Sequence, residues 1–229
     1  MAKRIQILPG LLVALAAVAG VQRATPAGRP LEQRVVPLKS FPKLATHKRF
    51  ETVAGDPAIA GAPFVVRIHA EAGYVIMPHT HRVDENIVVV KGSWALGMGS
   101  QFNRDALEPM EVGDFALAPK DMAHFALAKT ATIIQVHGVG PFATQWVVPM
   151  YELSESGVVL KASASDLGRP VAVTPDGCFA LSLGTQVVGS YGAGVVVGAQ
   201  CTPAQLTQYR VEKSDGDLFW AQRSELHRT

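Results

Sequence analysis

Between Phe64 and His137 the chain repeats one device. Short runs rich in β-branched and aromatic residues are cut by Gly, Pro, Asn or Asp every few positions. The runs are Phe64 to His69, Tyr74 to Met77, Asn86 to Val90, Ser93 to Gly97, Phe115 to Ala118, His124 to Ala128 and Thr132 to His137. No long stretch carries the 3.6-residue periodicity of a helix, and many short strands at regular spacing predict a sandwich or barrel. The 21 glycines and 15 prolines suit the number of turns that such an all-β fold needs. The stretch from Ser93 to Val112 is short, which predicts modest loops at the barrel mouth.

Inside this region lie side chains of another kind. His79, His81 and Glu85 fall within seven residues, and His124 follows in a segment that starts at Gly113. Imidazole nitrogens and a carboxylate oxygen are ligands for a divalent transition metal, and Mn, Fe, Co, Ni, Cu and Zn all accept this donor set. His79, His81 and Glu85 carry odd numbers, so one extended segment would send all three to the same face, provided the register does not slip near Val83. Four protein ligands leave positions free on an octahedral ion, as catalysis requires, whereas a tetrahedral zinc would be closed and structural.

These residues carry a family resemblance. The spacing Gly73-x5-His79-x-His81-x3-Glu85-x6-Gly92 resembles the first motif of the cupin superfamily at every specified position, and Gly113 to His124, with Pro119 between them, resembles the second. The segments Gly97 to Phe102 and Gln135 to Phe142 look like those of a bacterial subgroup of metal-binding cupins. The resemblance covers residues 45–150. It implies a jelly-roll barrel in which His79, His81, Glu85 and His124 hold one divalent transition metal, of which Mn, Fe, Ni, Cu or Zn are the candidates. It also implies a small-molecule ligand or substrate, and a homodimer. Two positions depart from the pattern: Asp121 stands where the family usually has Gly, and Ala128 where it often has Asn. Asp tolerates left-handed turn geometry better than most residues, so the turn at Asp121 is expected to form.

Residues 1–20 form a separate layer. Lys3 and Arg4 precede an apolar run from Ile5 to Val21, interrupted by Gln6 and Pro9-Gly10, and Ala17-Val18-Ala19 has the small-x-small form of a cleavage site. This is the layout of a secretory signal peptide, and the run is short for a membrane span. Cleavage would remove two positive and no negative charges, so the formal net charge of +2 would become 0. A periplasmic or secreted protein follows, with no stable membrane insertion after cleavage. No basic patch argues for nucleic acid.

Residues 21–44 read as a lead-in and residues 151–170, polar and rich in Ser, Ala and Gly, as a linker. Residues 171–229 carry further strand patterns with glycine turns, notably Leu206 to Glu212 and Leu218 to Gln222 around a hairpin signal at Asp215-Gly216. They predict a small β-rich C-terminal unit, weakly SH3-like. It holds the chain's two cysteines, Cys178 and Cys201; in an oxidising compartment they can pair, and two buried thiols are the other arrangement.

Other polar candidates rank below the His/Glu set. Arg67 and His69 share parity with Val65; facing inward they could bind an anion or supply a base, but solvent-exposed positions are the expectation. His137 lines the cavity or sits at its rim. Met77, Trp94 and Phe115 are expected to pack the barrel, and His47 and His227 to lie on the surface. No Ser-His-Asp set, phosphate loop, dinucleotide fingerprint or CxxC pair is present. Two function classes stand: a metal-dependent enzyme of oxygenase or isomerase type acting on a small organic molecule, and a non-catalytic metal- or ligand-binding sensor or scaffold.

Overall fold

A computed structural model describes residue 38 and residues 49–153, 157, 159–161, 171–172, 178–203 and 205–229. The expectations for residues 1–20, for His47 and for most of the lead-in fall outside these residues. Among the described residues the only helical elements are two 3-10 turns, at Arg104–Ala106 and Arg223–Glu225, and no helix is long and apolar enough to cross a membrane.

Ten strands build the first unit: β1 (Phe50–Gly55), β2 (Pro63–Ala70), β3 (Val75–Thr80), β4 (Glu85–Lys91), β5 (Trp94–Met98), β6 (Glu108–Met110), β7 (Phe115–Ala118), β8 (His124–Ala128), β9 (Thr132–Val139) and β10 (Gln145–Trp146). They form two five-stranded antiparallel sheets, ordered β1-β2-β9-β4-β7 and β10-β3-β8-β5-β6. Neighbours in each sheet are mostly distant in sequence, as in a jelly roll. Each expected strand from Phe64 onward is present within a few residues of its predicted ends. Three were not foreseen: β1, β6 and β10, two of them only two or three residues long.

Alternation sorts the side chains. On β2, Phe64, Val66 and Ile68 enter the core between the sheets, and Ile87 and Val89 on β4, Ala126 and Ala128 on β8, and Ile134 and Val136 on β9 join them. Trp94 lies in this core as expected, but Phe115 does not: it is 59% exposed. Phe115 pairs with Val88, outside the Ile87–Val89 parity, so on β7 the inward positions go to Ala116 and Ala118. Arg67 and His69 also need correcting. They do occupy the outer face of β2, opposite Phe64 and Val66, yet both are buried, and His69 Nε2 lies 3.4 Å from Glu51 Oε2 on β1.

Eight further strands form one antiparallel sheet: β11 (Tyr151–Leu153), β12 (Val159–Lys161), β13 (Val171–Ala172), β14 (Gln186–Gly189), β15 (Gly192–Thr202), β16 (Leu206–Glu212), β17 (Leu218–Gln222) and β18 (His227–Arg228). The segment read as a linker contributes β11 and β12, and β11 pairs with β15. Cys178 and Cys201 are joined in a disulfide, which resolves the choice that the sequence left open. This sheet has two unlike faces. Tyr209 and Val211 on β16 and Phe219 and Ala221 on β17 pack a core of their own with Val187, Val196 and Leu226. The alternate residues, Gln208, Arg210 and Trp220, turn to the barrel: Trp220 joins the barrel core and Arg210 pairs with Glu71. His227 is exposed, as expected.

Candidate metal centre

His79, His81, Glu85 and His124 converge. Each offers one ligand atom, all four atoms lie within 4.8 Å of one another, and the group could hold a metal ion. All four residues are 2–5% exposed.

The route to this convergence differs from a single strand face. His79 is on β3, His81 lies just past its end, Glu85 opens β4 in the other sheet and His124 opens β8. On β4, Glu85 shares the inward parity of Ile87 and Val89. On β3 the parity changes midway. Ile76 pairs with Ala126 and His79 with His124, three steps on one strand against two on the other. This extra residue is a β-bulge, which re-aims side chains locally. Before it, Ile76 faces the barrel core while Val75 and Met77 pack outside it against Met150 and Leu206. After it, His79 faces inward beside His124. Without the bulge, an odd-numbered residue on β3 would leave the barrel.

The turns on either side are tied together. Asp121 N–H donates to His81 O at 2.7 Å, and Lys120 N–H donates to Asp84 Oδ1 at 2.8 Å. Asp121 adopts φ 60°, the left-handed turn anticipated for it, and is the only non-glycine residue with positive φ among the described residues.

Each imidazole is oriented by a backbone carbonyl. His79 Nδ1 is 2.7 Å from Met77 O, His81 Nδ1 3.0 Å from Ala143 O and His124 Nδ1 3.0 Å from Met122 O. A carbonyl oxygen only accepts, so each Nδ1 carries a hydrogen and each Nε2 is the atom turned toward the cluster. His124 Nε2 stands 3.0 Å and His81 Nε2 3.4 Å from Glu85 Oε2. Donors about 2.0–2.2 Å from one ion are about 3 Å apart when adjacent and about 4 Å apart when opposed. The two His–Glu separations are close to the adjacent distance. His81 Nε2 is buried without a hydrogen-bond partner, a cost that a metal bond would remove.

The electrostatics agree. Burial pushes His79 down to about 3, helped by the neighbouring His124 and His81, so it is a neutral ligand at ordinary pH. Burial opposes ionisation of Glu85, but the hydrogen bond from His124 and the close approach of His81 outweigh it and hold the carboxyl well below its usual range. Burial likewise opposes a charge on His124, and its bond to Glu85 prevails and raises it.

Aromatic rings wall the pocket. Phe142 stacks on His81 with centroids 4.2 Å apart, and Trp146, paired with His79 across β10 and β3, lies 5.5 Å from that ring. The sequence did not mark either residue, because Phe142 lies in a loop and β10 is too short to leave a pattern. Arg67, His69 and His137 stay outside the pocket. His137, between Val65 and Asn86, is on the outer face of its sheet, and Met77 packs outside the barrel rather than in it.

Two facing antiparallel sheets in a jelly-roll strand order thus enclose a His/Glu cluster that could hold a metal ion. No family model and no curated protein matches the chain. Several solved structures are similar to part of it. One is "The structure of KdgF from Halomonas sp.", 22% identical, covering 40% of this chain and 77% of that one with a TM-score of 0.32. Another, an uncharacterised protein with a double-stranded β-helix domain from Klebsiella pneumoniae, is 18% identical over 47% of this chain and 90% of that one, TM-score 0.37. A third, a cupin-2 domain protein from Shewanella frigidimarina, is 18% identical over 42% and 85%, TM-score 0.34.

Proposed function

We propose that the protein is an exported, metal-dependent enzyme of oxygenase or isomerase type that acts on a small organic molecule. His79, His81, Glu85 and His124 would hold one divalent transition metal. The observation that carries this reading is the set of three Nδ1–H···O=C tethers, which leave three Nε2 atoms converging on one carboxylate. Such tethers fix tautomer and ring orientation in metal sites. When bound, the ion supplies Lewis acidity or a place for dioxygen beside a chelated substrate.

The chain's own residues do the rest. Glu85 offsets part of the cationic charge, the carbonyls of Met77, Ala143 and Met122 hold the rings, and Phe142 and Trp146 keep water away from them. An apolar wall favours a small ligand held by its own oxygen atoms at the metal, not by protein charges. Export rests on the basic, apolar and small-residue pattern of residues 1–20, and the Cys178–Cys201 disulfide is a bond that an oxidising compartment preserves.

The test is metal content by mass spectrometry on protein exported by its own leader and purified without chelators, beside His79→Ala and His124→Ala. One equivalent of Mn, Fe, Ni or Cu, lost in both variants, is the expected result. It would be followed by oxygen-uptake and isomerisation screens on small metabolites. A wild-type chain that takes up no metal even on reconstitution overturns the proposal.

One observation favours the second reading, a non-catalytic sensor or scaffold: the ionisable groups that shift His79, Glu85 and His124 are these ligands and His81. A separate proton-transfer group is thus not evident in their electrostatics. That reading expects stoichiometric zinc, ligand binding lost in His124→Ala, and no turnover.

A further inference from the structure

The face of the C-terminal sheet that meets the barrel is buried and polar. Gln200 on β15 and Gln208 on β16 are cross-strand partners, exposed 1% and 0%. Both reach the backbone of a single barrel residue, Val75 at the start of β3. Val75 N–H donates to Gln208 Oε1 at 3.1 Å, and Gln208 Nε2 and Gln200 Nε2 donate to Val75 O at 2.8 and 2.7 Å. Gln200 Oε1 accepts from Tyr74 Oη at 3.4 Å. Two residues along β15, Thr202 Oγ1 donates to Met77 Sδ at 3.2 Å.

The geometry of β3 explains the need. β10, its neighbour on the edge away from β8, spans two residues and pairs only with Thr80 and His79. Among the described residues the Val75 end of the strand therefore has no strand partner on that edge, and buried backbone groups left unpaired are costly. The two glutamine amides take the place of a strand. Burying two amides is itself costly unless they are used, and these are used on Val75. Apolar residues would cover the Val75 side chain equally well but would leave its backbone N–H and C=O unmet.

The pinned segment leads to the candidate site. The bulge that turns His79 inward lies between Ile76 and His79. Met77 serves both sides of it: its sulfur accepts from Thr202, and its carbonyl accepts from His79 Nδ1 at 2.7 Å.

We propose that Gln200, Gln208 and Thr202 are positioning residues of the metal centre, which pin Val75 and Met77 and thereby hold the β3 bulge and the His79 ring in their ligating orientation. The C-terminal sheet is then part of the site's support and not an appended unit. The proposal rests on the metal-binding reading above.

The experiment uses the full chain and Co²⁺ alone as probe. Visible absorption bands report the ligand geometry, and competition titration gives affinity. The variants are Gln200→Leu with Gln208→Leu, Gln208→Glu, which keeps the acceptor and loses the donor, and near-isosteric Thr202→Val. Tyr209→Phe is the control. Tyr209 lies in the other core of the C-terminal sheet, where its hydroxyl accepts from Ala180 and Leu181 N–H at 2.8 and 3.1 Å.

The double variant is expected to bind Co²⁺ about 10–100-fold more weakly with altered bands, the range typical for lost outer-shell partners. Gln208→Glu and Thr202→Val should move affinity and bands the same way by less, while Tyr209→Phe lowers the melting temperature and leaves both unchanged. If the double variant does not fold, the two single variants decide. Unchanged bands and affinity in folded variants, with wild type binding normally, overturn the positioning role alone. So does an equal change in Tyr209→Phe, which would mark general loosening. A wild-type chain that takes up no Co²⁺ overturns the metal reading and this proposal with it.

Discussion

Two buried polar clusters sit in this molecule, and they are built on opposite terms. The seam between barrel and C-terminal sheet is internally matched. Arg210 Nε lies 3.2 and 3.1 Å from the two oxygens of Glu71, Trp220 Nε1 donates to Glu71 at 2.6 Å, and two glutamines satisfy the backbone N–H and C=O of Val75. Arg49 caps the seam from 3.6 Å above the Tyr74 ring. The His/Glu pocket is not matched: three imidazoles share one carboxylate, and His81 Nε2 meets no hydrogen-bond partner. Burial is tolerable when polar groups complete one another and costly when they do not. The seam is what folding alone would favour. The pocket has a surplus of electron-pair donors that an added cation could complete.

The largest effect expected from breaking this contrast is on the seam. Arg210→Ala would leave the Glu71 carboxylate buried without its cation and should cost about 3–5 kcal/mol in a urea titration. A loss below about 1 kcal/mol would mean that water replaces the arginine and the seam is not a closed network. The pocket should respond to its missing partner instead. A divalent metal at a free concentration of 100 times its Kd should raise unfolding stability by about 2.7 kcal/mol, and His124→Ala should abolish the gain. Equal stabilisation of the variant would place the bound ion elsewhere.

The next effect concerns protons. Glu85 raises His124 above its usual 6.5, so the metal-free pocket holds a proton there up to a higher pH than a free imidazole would, while His79, lowered to about 3, keeps none at neutral pH. Metal uptake must displace the His124 proton. Affinity should therefore rise with pH up to the raised His124 value and level off above it, and fall about tenfold per unit on acidification below it. Calorimetric titration in buffers of different ionisation enthalpy measures the released proton directly. Affinity independent of pH across this window would show that His124 is not a ligand. The smallest effect is at the pocket's turn: Asp121→Gly relieves a left-handed aspartate at φ 60° and should change stability by less than about 1 kcal/mol, leaving metal stoichiometry intact. A larger loss, or lost metal, would assign the Asp121 side chain a role in the pocket.

The legible parts of this chain were local ones. Strand runs such as Phe115–Ala118, His124–Ala128, Leu206–Glu212 and Leu218–Gln222 lie where β-branched residues and turn signals predict them. The four candidate ligands stood out because few other chemistries use three histidines and a glutamate so closely spaced, and the left-handed Asp121 turn followed from aspartate's own preferences. The illegible parts depend on partners far along the chain. Parity alone put His79, His81 and Glu85 on one strand face, whereas a bulge, a turn and a second sheet bring them together. Nothing local marks Arg67 and His69 as buried on the barrel's outer face, or Phe115 as exposed, because which face of a strand is covered depends on what packs there.

By itself, then, the sequence determined an all-β protein with a His/Glu donor set, since strand propensity, turn chemistry and ligand type are properties of short segments. Only the tertiary structure decided the register shift in β3, the union of Cys178 with Cys201, and the use of Gln200 and Gln208 as substitutes for a missing strand at Val75. The physical reason is common to all three. A hydrogen bond or disulfide between residues tens to more than a hundred positions apart forms where the packed chain places them, and no short window of sequence contains both ends.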